Sequence, residues 1–253
     1  MTPAVLLLAA GLAGEEPPAG SEPAAASLLK PGDRVAFVGG TFWEDERRDG
    51  AIETALTLAV PGVTFRHLGW GGDMADQSAR RFFGTAEDGR EHLLEHVDVV
   101  DPTLIFVAYG AAESLPGGMP ADEFEEHLNS LLDELETRAD RVILVAPDDH
   151  RAAEYAMAVR EVAGERGFEV IEEGALVASK LEHREARSLT DLIRTKNDLF
   201  LHRHRPQNET YLRGFRAHEQ GANAAEIEKF EPLVAAKDAE IQQLRNDILK
   251  ETD

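Results

Sequence analysis

Short apolar runs rich in β-branched and aromatic residues recur at positions 35–38, 63–68, 104–109, 142–146 and 168–171, and longer stretches of helical period separate them. In one such stretch Phe124, Leu128, Leu131, Leu132 and Leu135 fall at i, i+4, i+7, i+8 and i+11, which is one face of a helix. Tyr155, Val159, Val162 and Ala163 repeat that face in the next segment. Strands that alternate with helices run parallel, because a crossover must return the chain to the same end of the sheet before each new strand. The pattern predicts an α/β fold, a three-layer α/β/α sandwich around a five-stranded parallel sheet.

Ligands in an open parallel sheet bind beyond the carboxyl ends of the strands, near the point where strand order reverses. Those ends are Gly39-Gly40-Thr41, Gly69-Trp70-Gly71-Gly72-Asp73, Gly110-Ala111-Ala112-Glu113, Pro147-Asp148-Asp149-His150 and Glu172-Glu173-Gly174. Glycine and short polar residues gather at each, as they do in connecting loops generally. The site is therefore sought at this edge, with the first strand and Thr41 as its reference.

In order, spacing and strand context over roughly residues 34–171, these ends resemble the SGNH, or GDSL, hydrolase family. In that family the first strand ends in Gly-Asp-Ser, a Gly-rich turn follows the second, the third ends in Gly-x-Asn-Asp, and Asp-x-x-His precedes the last helix. The resemblance implies a flavodoxin-like sheet and cofactor-free ester hydrolysis. It implies Thr41 at the nucleophile position, the Gly72 N–H in the oxyanion hole, and Ala112 where an asparagine donor would stand. The block from Leu192 to Gly221 is similar to an extension on an exported bacterial branch found alongside polysaccharide-degrading systems, which implies a carbohydrate or acylated polysaccharide as ligand.

The chain departs from that pattern at the nucleophile, the asparagine and the Asp-x-x-His positions, while the backbone donors at Thr41 and Gly72 can survive. A threonine nucleophile carries a methyl that stiffens χ1 and crowds attack, and it needs a placed base as serine does. Ala112 has no side-chain donor, and loss of one oxyanion-hole donor costs roughly 100- to 1000-fold in rate. No Asp-x-x-His follows the fifth apolar run. The substitute bases are His150, whose strand lies about 10 Å from the first if the order is 2-1-3-4-5, and His183, set among charges that read as a solvated helix face. Asp148 or Asp149 is expected to cap the helix that follows. The expectation is a degenerate hydrolase serving as a binding or structural module; the alternative is an active atypical carbohydrate esterase or deacetylase using Thr41.

Asp73 and Glu113 are candidate binding residues on the rim. With Asp148, Asp149 and His150 they also offer oxygen and nitrogen ligands, but no recognised metal spacing joins them, so no metal and no cofactor is expected. Arg203 and Arg205 belong to a basic, aromatic segment that either holds an acidic ligand through guanidinium contacts or pairs with the protein's own acids.

Charge bears on the partner class. The chain carries 48 acidic against 26 basic residues, net −22, which disfavours nucleic acid and anionic membranes. It has no cysteine, hence no disulfide or thiolate nucleophile. Residues 1–26 read as a signal-peptide-like apolar run without a basic start, followed by a Pro- and Glu-rich linker; the run is too short to span a membrane, and the reading implies a secreted or periplasmic protein. Residues 27–187 form the expected hydrolase-like domain and 188–253 a basic segment with a helical extension. In that extension Phe230, Val234, Ile241, Leu244 and Ile248 follow an amphipathic rhythm that serves either dimerisation or packing back on the domain.

Overall fold

The computed structural model describes residues 24–176, 184–206, 209–212, 214–219 and 223–252. The N-terminal apolar run and His183 lie outside them. The five apolar runs become β1 (Arg34–Gly39), β2 (Thr64–Gly69), β3 (Leu104–Ala108), β4 (Arg141–Ala146) and β5 (Glu169–Glu172). All pairings are parallel, in the order β2-β1-β3-β4-β5, as predicted.

The helices are α1 (Thr41–Asp49), α2 (Ala51–Ala59), α3 (Ala86–Val100), α4 (Ala121–Leu135), α5 (Ala153–Arg166), α6 (Glu173–Leu176), α7 (Arg184–His204), α8 (Glu209–Leu212), α9 (Asn223–Ile227) and α10 (Phe230–Thr252). Local chemistry marks their ends. Thr85 and Asp88 form a reciprocal capping box at the start of α3, and Gly167, at φ 72°, terminates α5. The predicted α4 face is the buried one, with Phe124, Leu128, Leu131, Leu132 and Leu135 all in the core.

Side-chain alternation along the strands divides the core in two. Val35 and Phe37 of β1 face one layer with Trp43, Ile52 and Leu56 of α1 and α2. Ala36 and Val38 face the other, with Leu93 of α3, Leu128 of α4 and Val159 of α5. Both faces are covered, which is why the strands read as continuous apolar runs rather than alternating ones.

The β2 edge is closed by the C-terminal helices. Lys196 of α7 donates to the Phe65 carbonyl at 2.8 Å, and Gln242 of α10 donates to the Val63 carbonyl at 3.0 Å. Arg66 pairs with Asp238 of α10, while Arg245 donates to the carbonyls of Thr57 and Leu58 in the last turn of α2. An exposed strand edge offers backbone groups to other chains, and these side chains occupy it instead. Of the two readings of the extension, α10 follows the second: Val234 and Ile241 are buried against the rest of the chain. No helix among the described residues is long and apolar enough to cross a membrane.

Candidate active site

The strand order reverses between β1 and β3, so the carboxyl end of β1 is the switch point. There Gly39, at φ 154°, lies so close to the Ala108 carbonyl that a Cβ would collide with it, and the Gly40 N–H donates to that same carbonyl at 3.2 Å. The chain enters α1 directly, with Thr41 as its first residue and Gly40 as an N-cap without a side-chain acceptor. The first N–H groups of α1 therefore have no intrahelical partner and lie at the ligand edge.

Thr41 and Gly72 meet. The Gly72 N–H donates to Thr41 Oγ1 at 3.0 Å, and both residues are exposed. Gly72 owes its orientation to a tight turn: the Asp73 N–H donates to the Trp70 carbonyl at 3.0 Å, and Gly72 holds φ 76° at the third position. Such a turn demands a positive φ there, which glycine adopts without steric cost. The structure thus brings together Thr41 and Gly72, two residues that the family resemblance singled out.

Asp73 and Glu113, expected on the rim, are buried and engaged internally. Asp73 is 0% exposed; it accepts from Arg80 Nε at 2.6 Å and from the Tyr109 hydroxyl at 3.0 Å. Arg80 also donates to the carbonyls of Gly39 and Leu68, tying the ends of β1 and β2 together beneath Thr41. Glu113 accepts the N–H of Ala75 through one oxygen and that of Gly110 through the other, both at 2.8 Å. Burial pushes its carboxyl up to about 7 despite those two bonds. Both carboxylates join loops, and neither presents an oxygen to a ligand at the surface.

The remaining strand ends add little. Ala112 sits half-buried in the loop after β3 and has no side-chain donor. His150 is 91% exposed, two strand places from β1, with Asp149 Oδ1 3.3 Å from its Nδ1. Asp149 accepts the Arg151 N–H and caps a 3₁₀ turn leading into α5, so capping was the correct expectation for it; Asp148 instead accepts the Gly174 N–H from beyond β5. No histidine or carboxylate among the described residues hydrogen-bonds to Thr41. Nor does any group of three ligand-type residues among them have the geometry to hold a metal.

Three cations of the extension meet the chain's own acids. Arg205 lies 3.7 Å over the Trp70 ring and 3.8 Å from Glu44 of α1. Arg194 reaches Asp49, and Arg216 pairs with Glu219 while stacking on Tyr211. Arg203 is half-buried and makes no ion pair among the described residues.

A cluster that sequence reasoning missed lies under α7. Glu53 of α2, His67 of β2, Lys196 and Asn197 are all buried. Lys196 Nζ stands 2.5 Å from one Glu53 oxygen, and His67 Nε2 and Asn197 Nδ2 each stand 3.1 Å from the other. The signal in the sequence was faint: polar residues in a helix read as a solvated face unless their burial is known. A second group, His92 and His96 of α3 with His204 at the end of α7, makes edge-to-face ring contacts at 4.6 and 5.7 Å.

No protein-family model matches the chain, and no curated protein matches it. Among solved structures it is similar to a catalytic mutant of Axe2, an acetylxylan esterase from Geobacillus stearothermophilus, at 16% identity over 56% of this chain and 77% of that one, with a TM-score of 0.45. It is also similar to LAE5, an α/β hydrolase enzyme from the metagenome of Lake Arreo, Spain, at 13% identity over 66% of this chain and 96% of that one, with a TM-score of 0.48. The fold predicted from the sequence, a parallel sheet between helical layers, is the fold observed, with strands in the order β2-β1-β3-β4-β5.

Proposed function

We propose that this chain is an SGNH-type protein that keeps the nucleophile's place without an acyl-transfer set and serves as a binding or structural module for acylated polysaccharide at the cell exterior. The observation that carries the reading is the Thr41 hydroxyl itself. It accepts the Gly72 N–H at 3.0 Å and has no base among the described residues. Acyl transfer needs a base to take the hydroxyl proton and free donors for the oxyanion. Here the hydroxyl occupies the donor that an oxyanion would use, the asparagine position is Ala112, and no Asp-x-x-His follows β5.

A second reading, an atypical carbohydrate esterase or deacetylase, draws support from one feature: an exposed hydroxyl at the uncapped N-terminus of α1, where backbone N–H groups can still face an oxyanion. One experiment decides between them. Hydrolysis of a small activated acetate ester and of acetylated polysaccharide is compared for the protein and for Thr41→Ala. The module reading expects equal, background rates, and activity abolished by the substitution overturns it. Titration with acetylated oligosaccharides should then show saturable binding, and its absence removes the ligand class.

A further inference from the structure

The turn that aims the Gly72 N–H starts at Trp70, whose ring meets Phe82 and His92 edge-on, lies 5.6 Å from the Arg80 guanidinium, and is also covered from the extension. Its N–H donates to the Gly39 carbonyl at 3.0 Å, so its backbone is fixed to the end of β1. Its ring is nearly buried, and the Arg205 guanidinium covers it at 3.7 Å from the centroid. That guanidinium also faces Glu44 at 3.8 Å, in the first turn of the helix that Thr41 begins. Glu44 is itself buried and braced by Arg48 at 2.6 Å. Arg205 is placed by the end of α7, where its N–H donates to the Leu201 carbonyl at 2.7 Å. One side chain from the extension thus bears at once on the ring that starts the Gly72 turn and on the helix that presents Thr41.

We infer that Arg205 is a positioning residue of the candidate site: by clamping Trp70 against Glu44 it holds the turn that points the Gly72 N–H at Thr41. The inference rests on Thr41 and Gly72 being the site proposed above. It gives the extension a task at the ligand edge without requiring Arg205 to touch a ligand. A planar guanidinium suits the position, since it can lie flat on an indole while its edge faces a carboxylate, which an ammonium cannot do together. A cation in the same place that served only as a ligand hook would be free of both partners.

The test is amide hydrogen exchange at Gly72 in the full chain, read with the melting midpoint. Arg205→Ala should speed exchange at Gly72 about tenfold, in keeping with the loss of one partly desolvated cation–π contact. Amides in β4, remote from the clamp, should keep their rates. Arg205→Lys should restore part of the protection, because it retains the charge but not the flat stack, and Arg203→Ala should change nothing at Gly72. Unchanged Gly72 exchange in Arg205→Ala overturns the inference, as does acceleration spread evenly over the sheet. If Arg205→Ala does not fold, full protection in Arg205→Lys overturns it equally. Exchange needs no substrate, so its failure leaves the functional reading standing, whereas ester hydrolysis lost with Thr41→Ala overturns that reading and leaves the clamp.

Discussion

At the edge around Thr41, exposed backbone and a hydroxyl meet through a single hydrogen bond from Gly72, while under α7 a carboxylate, an imidazole, an ammonium and an amide converge with no access to solvent. The first region stands where the fold exposes ligands and has almost no titratable chemistry. The second has that chemistry in full and is sealed. A buried ion pair that loses one partner leaves an unmatched charge in a low-dielectric interior, so such a cluster ties its elements together whether or not it adds net stability. In this chain the buried Glu53 cluster attaches the extension to α2 and β2, whereas at the surface of the candidate edge the contact is a backbone N–H on a hydroxyl.

The sharpest way to break that contrast is to remove Lys196. Lys196→Met should lower unfolding free energy by about 3–5 kcal/mol, the usual cost of stranding a buried partner, measured by urea denaturation. Adding Glu53→Leu should recover only part of the loss: the stranded carboxylate goes with it, but His67 Nε2 and Asn197 Nδ2 lose their buried acceptor. A single substitution costing under about 1 kcal/mol would mean that Glu53 finds another partner or takes up a proton.

The acid and alkaline limbs of stability come next. Burial alone would raise the Glu53 carboxyl, but Lys196 and then His67 hold it down at about 2, from an ordinary 4.5. That contribution is present above 4.5 and is lost as pH falls through about 2. Glu46 and Glu113 behave in the opposite sense: burial raises them to about 8 and about 7. Their contribution is complete below 4.5 and is lost as pH rises through 7 and 8. Stability should therefore be greatest between the two windows, on the acid side of neutrality. Each pKa unit corresponds to about 1.4 kcal/mol, so Glu46→Gln should flatten the alkaline limb by up to a few kcal/mol in melting experiments across pH 5–9.

The two regions were not equally legible in the sequence. The strands were plain because residues buried on both faces form apolar runs, and Thr41 was singled out as a candidate because Gly39-Gly40-Thr41 ends the first of them. Gly72 was named through the family resemblance, and the hydrogen bond that it donates to the Thr41 hydroxyl was not anticipated. Asp73 and Glu113 were misplaced on the rim because an acid in a glycine-rich loop looks solvated until its partners are known, and the Tyr109 hydroxyl that reaches Asp73 and the Ala75 N–H that reaches Glu113 come from other parts of the chain. The Glu53 cluster was invisible for the same reason. Lys196 and Glu53 are remote in sequence, and nothing in the composition of α7 marks which charges point inward.

At the edge, smaller effects are expected. Thr41→Ala removes one exposed acceptor from Gly72 and should cost about 0.5–1.5 kcal/mol, the net worth of a single hydrogen bond, read by the same denaturation. A larger loss would mean that the hydroxyl is part of the fold's bracing, as Asp73 is, and would narrow the gap between the two regions.

The smallest expected effect belongs to His150, and it tests the comparison from the other side. Its ring is 91% exposed, and its partner Asp149 is already engaged by the Arg151 N–H and guanidinium. It stands at the end of β4, with β3 between that strand and β1, at a spacing of about 4.8 Å per strand. His150→Ala should leave stability within about 0.5 kcal/mol, as surface substitutions do, and should leave any ester hydrolysis by the protein unchanged. If hydrolysis exists and disappears in this variant, the β4 loop must swing across β3 to place an imidazole on the Thr41 hydroxyl. The ligand edge would then be an assembled catalytic site, and its sparse furnishing would describe only the open arrangement.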